Sequence, residues 1–153
     1  MAFTAPNELS SALNAFMANR SSTTVAPADP GTLSSSTSVY KMSGCAVLFT
    51  PVVSTLVSIE VVGIMGNDTA SDNTLVQITY GTGSAPAKNG AAAGTQIGSI
   101  VTLPTAGTTK SSFTCVANIV AVPGTTYWFD LATKAVTGGN AILQNLTFVA
   151  SEY

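Results

Sequence analysis

A chain of 153 residues with 46% hydrophobic and only 8% charged side chains has room for one packed core, and its surface is far less charged than the roughly 25% usual for a soluble domain. A net charge of −2, with Arg20, Lys41, Lys88, Lys110 and Lys134 scattered singly, excludes a basic track for nucleic acid. The lack of any histidine excludes His-dependent triads and imidazole metal sites within one chain.

The opening MAFTAPNELSS has neither the positive n-region nor the apolar h-region of a secretory signal. In APNELSSALNAFMANR, the residues Leu9, Leu13, Phe16 and Met17 fall on one face of a helix, with Pro6 suited to the first turn, Glu8 to the N-terminal end and Arg20 to the C-terminal end. A short amphipathic helix over residues 1–20 is expected, and at about a dozen residues it needs a surface to dock on. That surface is either its own domain or a neighbouring subunit, and the four apolar residues are the candidate partner-binding set. Residues 21–38, SSTTVAPADPGTLSSSTS, contain almost no large apolar side chain and read as a linker.

From residue 39 to 153 the pattern changes to short runs rich in Val, Ile, Thr and aromatics, broken by Gly, Pro, Asn and Asp. Strands are expected near Val39–Phe49, Thr55–Met65, Thr74–Tyr80, Gln96–Leu103, Thr109–Val122, Thr125–Val136 and Ala141–Ser151. With no helical pattern between them, they imply an all-β domain, an antiparallel β-sandwich of jelly-roll or immunoglobulin/fibronectin-like type. In TTYWFDLATKAV, Tyr127, Phe129, Leu131 and Ala135 share the core face, leaving Trp128, Asp130 and Lys134 opposite. Trp128 then needs a cover, either a loop of the same chain or a partner, which makes it the fifth candidate contact residue. In ILQNLTFVA, Ile142, Leu146 and Phe148 are expected inward, with Gly138–Asn140 forming a hairpin turn before them.

Little points to chemistry. The glycine-rich stretch from Tyr80 to Gly98 has Pro86 where a dinucleotide fingerprint needs its third glycine, and Lys88 lies between Ala87 and Asn89 instead of in a Gly-Lys-Ser/Thr context. It is expected to be a long loop between two strands. Asp68 and Asp72 are too few for a patterned calcium loop and suit a solvated turn, and Glu60 suits an exposed sheet face. Cys45 and Cys115 sit among small or apolar neighbours, as buried free thiols do. No cofactor, metal site or enzymatic activity is expected.

Three segments carry a family resemblance: YKMSG at Tyr40–Gly44 followed by Thr50-Pro51, YGTGSAPAKNGAAAGT at Tyr80–Thr95, and PGTTYWFDLA at Pro123–Ala132. Together they resemble a family of small tailed-bacteriophage virion proteins. The likeness spans nearly all of the β region and none of the N-terminal arm. It implies a structural protein of the virion, assembled in the host cytoplasm, that decorates or cements the head shell as a homo-oligomer, with the major capsid protein or other virion proteins as partners and neither nucleic acid nor membrane. The alternative it leaves open is a tail or head fibre module that recognises the host surface through the glycine-rich loop. PGTTY also resembles the tyrosine corner of immunoglobulin-like domains, in which Tyr127 would bond back to upstream backbone.

Overall fold

The computed structural model describes residues 10, 11, 13–15, 19–69, 72–102 and 109–153. Its strands are β1 (Ser22–Val25), β2 (Gly31–Leu33), β3 (Lys41–Met42), β4 (Val47–Phe49), β5 (Leu56–Asn67), β6 (Thr74–Thr82), β7 (Thr95–Thr102), β8 (Ser111–Val120), β9 (Tyr127–Ala135) and β10 (Ala141–Glu152). The strands form where β-branched and aromatic residues alternate with polar ones. In β8, for example, Phe113, Cys115, Ala117 and Ile119 are buried while every second residue from Ser112 to Val120 is exposed.

Two antiparallel sheets result. In the first, β1 and β2 lie end to end along β10, which is followed by β5 and β8. In the second, β3 and β4 lie along β9, which is followed by β6 and β7. Counting β1/β2 as one interrupted strand and β3/β4 as another reduces the ten strands to eight, with orders 1-8-3-6 and 2-7-4-5. That is the jelly roll, so the topology decides between the two kinds of sandwich expected from the sequence. The main core lies between the sheets and includes Phe129, Phe148, Ile59, Val61, Leu131 and Leu143, all essentially inaccessible to water.

Three expectations change. Residues 21–38 do not run free: β1 and β2 pair with β10, and Leu33 is fully buried in the core. A Ser/Thr-rich strand can join a sheet edge on backbone hydrogen bonds, needing only an occasional apolar anchor. Gly138–Asn140 is not a hairpin turn, because β9 and β10 belong to different sheets and the turn carries the chain from one to the other. Finally, Leu143 rather than Ile142 points into the core. The pairing of β10 with β5 shifts register between Gln144 and Thr147, and Asn145 adopts a φ of 51° there. This bulge reverses the inside–outside phase, so Leu143 and Leu146 both face inward although they are three residues apart. Gly63 makes room opposite, since a Cβ there would lie 2.6 Å from Leu146 Cδ2.

Candidate interaction surface

The outer face of the second sheet is closed by the chain itself. On β9, Tyr127, Phe129 and Leu131 enter the main core, and Trp128, Asp130 and Ala132 on the opposite side are buried as well. Trp128 is 3% exposed and packs in a second apolar cluster with Met42 and Ala132, flanked by Tyr40, Ala46 and Ala93. The glycine-rich loop makes this possible. Gly94, at φ +72°, and Gly81 approach so closely that an added Cβ would sit 2.5 and 2.6 Å from the indole ring. The indole Nε1–H donates to the Thr82 carbonyl at 3.3 Å, which satisfies its polar end.

The loop is also stitched down. Asn89 N–H donates to Met42 O (2.9 Å), Met42 N–H to Gly90 O (3.0 Å) and Ala92 N–H to Tyr40 O (3.2 Å). Ser34 N–H donates to Asn89 Oδ1 at 2.9 Å, and Lys88 Nζ reaches the Pro30 carbonyl. The stretch that resembles a nucleotide loop is thus a lid, and its lysine is a strap. Trp128 was a candidate partner contact; the structure corrects this, because the lid of its own chain occupies the surface a partner would need.

The carboxylates serve as backbone clamps. Asp130 is inaccessible to water and accepts from Ser43 Oγ and from the N–H groups of Gly44 (3.0 Å), Cys45 (3.1 Å) and Leu131 (2.8 Å). Burial pushes its carboxyl above the ordinary value, and these hydrogen bonds act in the opposite sense. Asp72 is buried rather than solvated. It accepts from Asn73 N–H, Thr137 N–H and Oγ1, and Gly138 N–H, while Asp68 takes Asn140 N–H and Nδ2. The two aspartates therefore secure the 137–140 crossing. Both carboxyls are held below their ordinary value, Asp68 by Asn140 and Asp72 by its donors against the opposing effect of burial.

Glu152 accepts from Val52, Val53 and Ser54 N–H, each at 2.7 Å, and from Ser21 N–H and Oγ. Burial opposes ionisation here, but the donors prevail and hold the carboxyl at about 2. One side chain thus ties the root of the N-terminal arm to the turn before β5. Among the described residues no three His, Cys, Asp or Glu side chains converge as a metal would require. Cys45 and Cys115 are buried and unbonded, with the Cys115 thiol pushed up to about 11 by burial. Val122 N–H donates to Tyr127 Oη at 3.0 Å, the upstream bond expected of a tyrosine corner.

Among the described residues, the outer face of the first sheet is largely uncovered. Val120, Val116 and Leu56 are 77%, 53% and 42% exposed, and the register places Val120 beside Leu56 and Val116 beside Glu60, with Val149 on the far side of Glu60. Glu60 is exposed, as expected of it. Of the arm residues, Leu13 is described: it lies on a helical turn and is 59% exposed. Leu9, Phe16 and Met17 lie outside the described residues. Every described residue of that turn, Ser10, Ser11, Leu13, Asn14 and Ala15, is exposed. No helix among the described residues is long and apolar enough to cross a membrane.

No protein-family model matches the chain, and no curated protein sequence does. Solved structures share its fold. It is similar to a protein of the T13 viral particle of infectious bursal disease virus (TM-score 0.56, 13% identity, 88% of this chain and 31% of that one) and to the VP2 subviral particle of the same virus (TM-score 0.52, 14% identity, 88% and 33%). This chain therefore spans about a third of the length of those viral proteins. A sugar-binding domain, the EclA C-terminal domain, aligns at a TM-score of 0.45 and 9% identity over 85% of this chain and 78% of that one. The two viral likenesses show the jelly-roll fold.

Proposed function

We propose that the chain is a structural virion protein that decorates or cements a bacteriophage head shell as a homo-oligomer, its N-terminal arm serving as the grip. The observation that carries this reading is the coexistence, among the described residues of one jelly roll, of a sheet face with exposed Leu56, Val116 and Val120 and a helical turn with exposed Leu13. A surface with so few charges gives neighbouring copies little to repel, and burying apolar area at subunit junctions stabilises a shell by mass action without chemistry. The phage-like segments at Tyr40–Gly44, Tyr80–Thr95 and Pro123–Ala132 support the same assignment, and virus particles use this fold. On this reading the acidic groups hold the backbone and catalyse nothing.

The test is to locate the chain on intact particles of the virus that encodes it, by specific antibody labelling and by image reconstruction, and to repeat this with residues 1–20 removed. The cut must stop there because Ser22 onward belongs to the sheet. Density on the head shell that is lost on truncation supports the proposal. Density only at a fibre, with host adsorption lost on deletion of the whole chain, favours the fibre reading, in which the rim of the lid rather than the covered Trp128 would meet the host. Particles that lack the chain altogether overturn both.

A further inference from the structure

We propose that the outer face of the first sheet, centred on Leu56, Val116 and Val120, is the landing site for the N-terminal helix of a second copy of this chain. This rests on the structural reading above and names the partner of that surface.

The face and the arm match in size and character. Along β8 the outward row from Ser112 to Val120 is about 27 Å long at ~3.3 Å per residue, and β10, β5 and β8 together are roughly 10 Å wide at ~4.8 Å between strands. A helix of about a dozen residues is ~18 Å long and ~10 Å across, so it fits lengthwise. Glu60 is the only charged side chain among the central outward residues, in which Leu56, Val62, Val116, Val120 and Val149 alternate with Ser58, Thr114 and Asn118, so an apolar stripe can settle without stranding many ions.

The arm's root lies at the opposite edge of the same sheet from β8. Ser21 is fixed at the β1 edge, where Glu152 N–H donates to its carbonyl and the Glu152 carboxylate receives its N–H and hydroxyl. Ser22 pairs with Ser151, Ser151 with Ser58 and Ser58 with Asn118, so the root lies three strands, roughly 14 Å, from β8. All the described residues of the turn that precedes this root are exposed. Among the described residues, each copy therefore presents Leu13 without a seat and an apolar face without a cover. An arm-to-face contact satisfies both, either reciprocally in a two-fold dimer that exchanges arms or head to tail around a closed ring.

The test uses the full-length chain. A variant carrying Leu13→Cys and Val116→Cys is mixed with isotope-labelled copies and oxidised, and its disulfides are assigned by mass spectrometry. Leu13→Cys with Leu48→Cys, on the other sheet, is the control. Sedimentation then compares the unmodified chain with Leu13→Asp and with Val116→Asp/Val120→Asp, whose folding is verified by circular dichroism. Mixed-isotope disulfides joining the two introduced thiols, well above the control, with self-association weakened about tenfold or more in both Asp variants, support the proposal. Links only within one copy, a monomeric unmodified chain, or association untouched by the Asp variants overturn it. A chain that self-associates in this way yet is missing from virions would sink the virion assignment and leave the inference standing; a monomer found on the shell would do the reverse.

Discussion

The two outer sheet faces of this jelly roll are built from similar alternating strands and end in opposite states. On the second sheet, Trp128, Met42 and Ala132 lie under a glycine-rich lid and are as dry as the core. On the first, Val116, Val120 and Leu56 stand in water. The difference lies in what the connecting segments do. The loop between β6 and β7 is long enough to fold back over its own sheet and carries glycines where the indole must be approached, whereas the outer faces of β5 and β8 have no such segment laid across them among the described residues. An apolar residue on a strand's outer face therefore marks a need for cover, and the loops decide whether the same chain supplies it.

Stripping the covered face should give the largest effect. Trp128→Ala removes the centre of the second cluster and leaves a void beneath the lid, at an expected cost of about 3–5 kcal/mol in urea unfolding. Gly94→Ala attacks the same contact from the other side. At φ +72°, with the indole 2.5 Å from the added Cβ, it should cost about 3 kcal/mol through backbone strain and overpacking. Both variants should speed amide exchange at Asn89 and Ala92, whose hydrogen bonds hold the lid. Exchange there as slow as in the unmodified chain would mean that the lid is kept down by something other than the tryptophan.

How much of this contrast was legible beforehand depended on the physical range of each signal. Period-two patterning is local, so the seven expected runs overlap the strands from β3 to β10 with their outer ends within two residues, and the alternation that put Phe129 inward and Trp128 outward was visible in YWFDLA. Leu143 was hidden because a bulge at Asn145 is a single-residue change of phase with no strong marker of its own. β1 and β2 were hidden because edge pairing is a backbone interaction that a Ser/Thr-rich segment joins without an apolar pattern. The clamping roles of Asp72, Asp130 and Glu152 were hidden for a different reason: their donors lie 65, 86 and 98–100 residues away for Thr137, Gly44 and the 52–54 turn, and nothing local records such a pairing. Of the candidate contact residues, Leu13 is exposed on a helical turn, Trp128 is buried, and Leu9, Phe16 and Met17 lie outside the described residues.

The arm's root offers a sharper comparison, because one ionisable group controls it. The Glu152 carboxyl is held at about 2 against an ordinary 4.5, so the folded chain binds its proton less readily than the unfolded one. Its contribution to stability is therefore complete above about pH 4.5 and is lost as the pH falls toward 2, in the same sense as those of Asp68 and Asp72 and opposite to that of Asp130. Glu152→Gln keeps one acceptor oxygen but loses the charge that the donors address, and should cost about 1–3 kcal/mol at neutral pH. The gap between variant and parent should close on acidification through that window, as read by urea midpoints at successive pH values. A gap that stays constant would show that the donors need the shape of the side chain and not its charge.

The bare face should give the smallest effect on the isolated chain, and that is its diagnostic value. Val120→Thr keeps the β-branched shape, and at 77% exposure the valine has little burial to lose, so chemical unfolding of dilute protein should shift by less than about 0.5 kcal/mol. If the face serves only as a solvated surface, the substitution should also leave association unchanged and improve solubility slightly. If it is a seat for a neighbour's helix, the hydroxyl is carried into an apolar contact, and association should weaken by about tenfold while monomer stability does not move. Trp128 gives the opposite pattern, with a large loss of stability, because its cover is already part of the fold. On the proposed docking, Val120 separates folding from assembly because its partner would belong to another molecule.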